Sequence, residues 1–410
     1  EARDARVHVA FTTHFLAKRE SVLKRLEEDL VASQARLVAI PFNLTRSYSD
    51  AADLARRVRR CLPAARIVVG GNHATCAGEA LLREVPEVDV LVKHEGEQAL
   101  LALLRGDELA SIPGLVYRGE NGLCQTSARP PLADLDELPS PFLATDDFEL
   151  YKRLKLMRTW TRNFSFDDTI FSRMVLTSRG CPFACEFCTN EVMTKRRMRF
   201  HSVDYVRTVV GDIRERFLPH LPFPIVNLAD AIFTAHKQRT LELARALESS
   251  RVQFHCQTHA ECIDGEILEG MRRMGMTCVS FGIESLSPAV FRRTGKSFTV
   301  EGLSGLVSAL HQNGIRAVGT FIVGLPGDSA ESIVQNAWAA RRCGFDEAYF
   351  FPLVAVLGSR IHEQLLVEVP ELQREWLGQR ENREFLYTAR FSAAELNDLA
   401  RLSETVYGCP

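Results

Sequence analysis

Twice along this chain, short apolar runs alternate with amphipathic helical stretches, and that alternation admits few architectures. A strand followed by a helix and then another strand is the unit of a parallel sheet, because parallel strands need a crossover connection. Between residues 1 and 110 the strand candidates are Val7–Phe11, Leu37–Pro41, Arg66–Val69 and Val88–Val92. Helices around Glu20–Ala32 and Asp50–Leu62 separate them, and another starts at Glu97. This pattern predicts an α/β domain with an open, doubly wound, Rossmann-like parallel sheet. Between residues 171 and 355 the period is longer. Met174–Thr177, Ile225–Leu228, Phe254–Gln257, Val279–Gly282, Val318–Val323 and Ala348–Pro352 are predicted strands, with helices such as Thr240–Leu247, Glu266–Met274 and Val300–Asn313 between them. Six strands and five helices fall short of a closed eight-stranded barrel, so the expectation is an open, partial (β/α)6 barrel of the TIM type. Residues 111–170, punctuated by Pro113, Pro130, Pro131, Pro139 and Pro141, read as a linker. Residues 356–410 read as a C-terminal helical segment with Leu396, Leu399, Leu402 and Val406 on one apolar face.

With 410 residues, 46% of them hydrophobic and 25% charged, the chain has material for two domains and a sizeable core. The net charge of −2 carries no basic excess, so nucleic acid is not an expected partner. No apolar run of eighteen residues and no secretory pattern occur, from which we expect no membrane partner and a cytoplasmic location. Residue 1 is Glu and all seven methionines lie between Met157 and Met276, so the numbered chain is expected to lack its original start.

The eleven cysteines are odd in number and mostly dispersed, which in a large cytosolic chain argues against a disulfide framework. One cluster stands out: Ser178-Arg179-Gly180-Cys181-Pro182-Phe183-Ala184-Cys185-Glu186-Phe187-Cys188. Its C-x3-C-x2-C spacing falls at the end of the first barrel strand, where barrel enzymes place their chemistry. Structural zinc wants four ligands, and no C-x-x-C or H-x3-H partner lies nearby. A [4Fe–4S] cluster also takes four thiolates as a rule. Three thiolates leave one iron open to a chelating ligand with an amino and a carboxylate group. Cys256, Cys262 and Cys278 read as small buried apolar residues instead.

This spacing in this setting resembles the radical S-adenosylmethionine (SAM) superfamily, and later segments add to the resemblance. It implies that Cys181, Cys185 and Cys188 hold a [4Fe–4S] cluster and that Phe187 touches the adenine of SAM. Asp230, in Asn227-Leu228-Ala229-Asp230, matches the second-strand end that takes the methionine amine. Ser280-Phe281-Gly282-Ile283-Glu284-Ser285 matches the fourth-strand motif, with Ser280 and Glu284 toward SAM. Gly319 to Asp328 matches the fifth-strand motif, with Ile322 and Gly324 flanking adenine. Gln257-Thr258-His259 ends the third strand, where relatives often carry Arg in place of His259 to grip the SAM carboxylate. A histidine there has to be protonated to do so. Otherwise another group does, and His259 is an ordinary satisfied histidine.

Arg66 to Thr75 and Val88 to Glu97 resemble the cobalamin-binding domain that precedes the barrel in one subgroup of that superfamily. The resemblance implies cobalamin contacts from Thr12, Asn43, Gly70, Gly71, Asn72, His73, Glu95, Gly96 and Glu97, all at strand ends where doubly wound sheets bind ligands. Paired glycines let the chain approach a bulky ligand, while ordinary turn chemistry explains the same residues equally well. The D-x-H-x-x-G signature is absent, so no axial histidine from that motif is implied, and four strands are counted where the subgroup has five. The implied activity is methyl transfer from cobalamin to an unactivated carbon of a small-molecule or peptide biosynthetic substrate. The alternative is hydrogen abstraction or rearrangement with an N-terminal domain that binds no cobalamin. Either implies an electron donor such as flavodoxin or ferredoxin. A plain electron-transfer protein would not need the adenine-flanking motifs, and an RNA methylthiotransferase would want a second cysteine cluster and a basic module.

Overall fold

The computed structural model describes residues 20–43, 48–140, 173–216, 225–288, 290–291, 296, 298–369, 388 and 390–408. Contacts divide the chain into two compact units. One is Glu1–Leu132 with Phe187–Met193 and Val354–Ala389; the other is Ala133–Glu186 with Thr194–Leu353 and Arg390–Pro410.

In the first unit, β1 (Leu37–Pro41), β2 (Arg66–Gly70) and β3 (Val90–Val92) are parallel, and β4 (Leu115–Gly119) and β5 (Gly122–Gln125) add antiparallel, in the order 1-2-3-4-5. Helices α1 (Glu20–Ser33), α2 (Tyr48–Cys61), α3 (Asn72–Ala77), α4 (Glu79–Glu84) and α5 (Glu97–Arg105) complete it. Strand alternation sorts the side chains between two cores. Ile67, Val69 and Leu91 pack with Ala52, Ala55 and Val58 of α2 and Leu81 and Leu82 of α4. Val68, Val90 and Val92 pack with Ala99 and Leu103 of α5 and with Ile112 and Leu115. Both faces of the sheet are therefore covered, as expected.

Two points differ from the expectation. The sheet is mixed, and its strand order does not reverse among the described residues. Its antiparallel edge, β4–β5, comes from residues read as linker. Gly119 pairs with Gly122, so Glu120-Asn121 forms the two-residue turn of this hairpin. The candidate strand Val7–Phe11 and residue Thr12 lie outside the described residues.

The second unit holds all six predicted barrel strands: β6 (Arg173–Val175), β9 (Ile225–Leu228), β10 (Gln253–Thr258), β11 (Met276–Glu284), β12 (Arg316–Val323) and β13 (Glu347–Pro352). They are parallel and sequential, β6 pairing with β9 and so on to β13. A short antiparallel ribbon, β7 (Ser178–Arg179) with β8 (Arg199–Phe200), follows β6, and α6 (Asn190–Thr194) lies within its loop. Two-residue strands carry no periodicity, so the sequence reading contains no trace of the ribbon. The crossover helices are α7 (Val203–Arg216), α8 (Lys237–Leu247), α9 (Gly265–Met274), α10 (Val300–Gln312) and α11 (Ala330–Cys343). Asp264, Thr299 and Ser329 start α9, α10 and α11, each with a side-chain oxygen that accepts an otherwise orphaned N–H.

Phe254, Cys256 and Thr258 on β10, Phe281 and Ile283 on β11, and Phe321 and Val323 on β12 are buried on one face. The alternate positions Gln257, Ser280, Gly282, Thr320 and Ile322 are exposed or half-buried on the other. After α12 (Arg360–Glu368) in the first unit, α13 (Ala393–Gly408) packs on α11 and β13. The predicted apolar face of α13 is corrected here. Leu396, Ala400 and Ser403 are buried, whereas Leu402 is 46% exposed. Leu399 and Val406 of the predicted face are half-buried, so the correction falls on Leu402, whose place against the unit is taken by Ala400 and Ser403.

Candidate active site

The thiol loop leaves the ribbon at Gly180, whose φ of 104° lies where side chains strain the backbone. A Cβ there would stand 2.0 Å from the Arg197 carbonyl oxygen, so glycine is what lets the two arms of the loop meet. On the far side, Arg196 Nε donates to Pro182 O at 3.0 Å. Cys181 is buried, and Cys185 and Cys188 are half-buried. The chain passes from the second unit to the first between Glu186 and Phe187, so Cys181 and Cys185 belong to one unit and Phe187 and Cys188 to the other. Cys188 Sγ accepts from Asn190 N at 3.4 Å. None of the three sulfurs is in a disulfide. Among the described residues no three His, Cys, Asp or Glu side chains form a ready metal-holding group. What the loop offers is a donor set: three soft thiols within eight residues, chemistry that suits iron–sulfur ligation.

Asp230 does not stand open at the barrel mouth as the resemblance implied. It is 2% exposed, and its carboxylate accepts from Thr177 N (2.7 Å), Thr177 Oγ1 (2.6 Å) and Ser178 N (2.6 Å). Burial raises its pKa, and the hydrogen bonds from Thr177 and Ser178 oppose that rise. Arg239 on α8, buried as well, donates to Thr177 O at 2.8 Å and to His201 O at 2.9 Å. Arg239 was missed by the sequence reading, since an arginine on an amphipathic helix normally faces solvent.

His259, left open between a protonated grip on the carboxylate and an ordinary satisfied histidine, is buried. It is 3% exposed and stacks on Phe183 at 4.4 Å, with neither ring nitrogen hydrogen-bonded. Burial, and then the nearby Lys296 ammonium, push its pKa down to about 4 despite Glu261. It is neutral at pH 7. The buried cation beside it is Lys296, which sequence reasoning did not single out. Its Nζ donates to Glu284 Oε1 at 3.0 Å and to the Gly282 carbonyl. Glu284 therefore sits in a buried ion pair, on backbone with φ 67°. The β10–β11 register sets Gln257 beside Ser280, and Ile322 lies at the end of β12. Gly324 follows in a turn where Asp328 Oδ2 accepts from Gly324 N (3.1 Å) and Leu325 N (2.9 Å). Gln257, Ser280, Glu284, Ile322 and Gly324 thus share the carboxyl ends of three adjacent strands.

In the first unit, Asn43 and Gly71 come together at the ends of β1 and β2. A Cβ on Gly71, where φ is 104°, would stand 2.1 Å from Asn43 Oδ1 and 3.0 Å from Phe42 O. The glycine accommodates its own neighbouring loop, which is the turn-chemistry reading of this residue. His73 points inward: it is 2% exposed and its ring centroid lies 5.3 Å from that of Tyr48. Asn43 and Asn72 are the exposed polar groups of this rim. Leu132 N donates to Glu95 Oε2 at 3.4 Å, while Gly96 and Glu97 begin α5.

Comparison with known proteins bears on both units. Residues 175–337 match the radical SAM superfamily profile and residues 2–104 match that of the B12 binding domain. An uncharacterized methyltransferase of Pyrococcus horikoshii is 27% identical over 87% of this chain and 73% of its own. Anaerobic magnesium-protoporphyrin IX monomethyl ester cyclase of Rubrivivax gelatinosus is 29% identical over 67% of this chain, which spans 48% of the cyclase. Among solved structures, the radical SAM methyltransferase TsrM of Kitasatospora setae, with cobalamin and a [4Fe–4S] cluster bound, superposes with a TM-score of 0.68 at 18% identity. That match covers 92% of this chain and 76% of TsrM. At that identity the likeness is one of fold. No helix of the described residues is long and apolar enough to cross a membrane.

Proposed function

For a radical SAM superfamily member that carries a B12 binding domain ahead of its radical SAM domain, we propose a cobalamin-dependent methyltransferase acting on an unactivated carbon of a small biosynthetic substrate or peptide. The observation that carries this reading is the joining of both domains in one chain with the three-thiol loop at the first barrel strand. The methyltransferase name of the Pyrococcus relative supports it. When bound, the cluster supplies one electron to the sulfonium of SAM and the corrinoid carries a methyl group.

The chain's own part is to bind, orient and exclude water. Cys181, Cys185 and Cys188 hold the cluster. Gln257, Ser280, Ile322 and Gly324 line the strand ends on which SAM would lie. His259 is too well buried to carry charge at pH 7, so we assign the SAM carboxylate to the Lys296 ammonium, with Glu284 holding that ammonium in place. Asn43 and Asn72 would offer hydrogen bonds to the polar edge of a corrinoid, while the buried His73 packs against Tyr48. The electron comes from a cytoplasmic flavodoxin- or ferredoxin-type donor.

A second reading, radical hydrogen abstraction or rearrangement without cobalamin, is favoured by one feature, the filling of the space above Gly71 by Asn43. Cobalt analysis of protein produced anaerobically with cobalamin available separates the two. About one cobalt per chain, with S-adenosylhomocysteine and 5′-deoxyadenosine formed together in turnover, is the expected result. Full iron loading with no cobalt, and 5′-deoxyadenosine alone, would overturn methyl transfer.

A further inference from the structure

Beneath the thiol loop, two opposite charges are buried where a strand end needs only backbone pairing. Asp230 holds one side of Thr177-Ser178 through three hydrogen bonds of 2.6–2.7 Å. Arg239 holds the other. Besides Thr177 O and His201 O, its guanidinium donates to Thr177 Oγ1 at 3.2 Å and lies 4.9 Å over the Phe200 ring. The two charges meet through the Thr177 hydroxyl, which donates to Asp230 and accepts from Arg239. His201 N donates to Thr177 O at 3.0 Å, its ring stacks on Tyr205 at 4.0 Å, and its Nδ1 lies 3.0 Å from Asp136 Oδ1. Both strands of the β7–β8 ribbon, which launches Gly180 and Cys181, are thus fixed from below.

For stability alone this is a poor bargain, since charges taken out of water are costly and apolar replacements often do as well. What such a network adds is a unique geometry. We propose that Arg239 and Asp230 are positioning residues for iron–sulfur ligation: they hold the ribbon so that Cys181 is presented at a fixed point, and thereby set how tightly the cluster is kept. The inference rests on the cluster reading above. It assigns Asp230 to the ribbon and leaves the SAM amine to other groups.

The test uses the full chain, reconstituted anaerobically with iron and sulfide. Three quantities are read: iron per chain, the rate of iron release to an excess of a ferrous chelator, and the melting temperature by circular dichroism. The parent should hold about four irons. Arg239→Met and Asp230→Asn should release iron about ten to a hundred times faster at a temperature where the dichroism is unchanged, as loss of supporting contacts does at other metal sites. Arg239→Lys should recover part of the retention, because lysine keeps the charge without the planar fork. Leu243→Ala, a core change on the same helix one turn beyond Arg239, should lower the melting temperature yet release iron at the parental rate. Should Arg239→Met fail to fold, Thr177→Val keeps both charges and should still speed release. Parental release rates in the folded variants, or equal acceleration in Leu243→Ala, would overturn the proposal. A parent that takes up no iron would overturn the cluster reading itself, and is recognised before any variant is compared.

Discussion

Replacing Gly180 by alanine puts a methyl group into the narrowest point of the thiol loop. Two costs add. The backbone stays at φ 104°, a region that costs an L-residue about 1–2 kcal/mol. The new Cβ would also lie 2.0 Å from the Arg197 carbonyl oxygen, and that oxygen is backbone, so the ribbon has to open. Over-packing of this kind costs about 1–3 kcal/mol, for a total of about 2–5 kcal/mol. In a unit of this size that is a drop in melting temperature on the order of 10 °C. Gly211, inside α7, provides the opposite case: nothing lies within 4 Å of its Cβ position. Gly211→Ala should stabilise by about 0.5–1 kcal/mol through helix propensity alone. The pair is measured by thermal melts of the two variants beside the parent, with iron content after reconstitution as a second readout. If Gly180→Ala melts with the parent and keeps its iron, the loop does not close as described and the reasoning fails.

Three further outcomes are expected. His73, His362 and His259 each have a pKa held at about 4 against an ordinary 6.5, by burial foremost. In the unfolded chain they take up protons first as pH falls, so the stabilisation is complete above pH 6.5 and is lost between 6.5 and 4, by up to about 3 kcal/mol per histidine. Denaturant midpoints at pH 7.5 and 5 should show this slope, His362→Gln should flatten it, and an unchanged slope in that variant contradicts the assignment. For the buried Lys296–Glu284 pair, Lys296→Met or Glu284→Gln alone should cost about 3–5 kcal/mol, while the double variant should cost clearly less than the sum. Strict additivity in a double-mutant cycle would mean that the pair is not coupled. On α13, Leu396→Ala should cost about 2–5 kcal/mol and Leu402→Ala less than about 0.5 kcal/mol, and equal melting shifts would place the buried face elsewhere.

Much of this protein was legible before any coordinates. The six barrel strands follow from apolar runs such as Ile225–Leu228 and Val318–Val323, because a strand under crossover helices must be apolar where it is covered, and that is a local property of the sequence. The thiol loop follows from three cysteines in eight residues, a spacing that is written within one short segment. Tertiary structure decided the rest. Whether Asp230 faces a ligand or the ribbon depends on Thr177 and Ser178, more than fifty residues earlier in the chain. Whether His259 carries charge depends on burial and on Lys296, which arrives from beyond β11. Gly71 fits ligand approach and turn chemistry equally well in sequence, and only the structure shows Asn43 against its Cβ position. On α13 it is Ala400 and Ser403, and not Leu402, that are buried beside Leu396. Local pattern determines which elements form, since hydrophobic periodicity is written within each segment. The partner and charge of a buried polar group are settled only when distant segments meet, because desolvation and hydrogen bonding act through space and leave no mark on neighbouring residues.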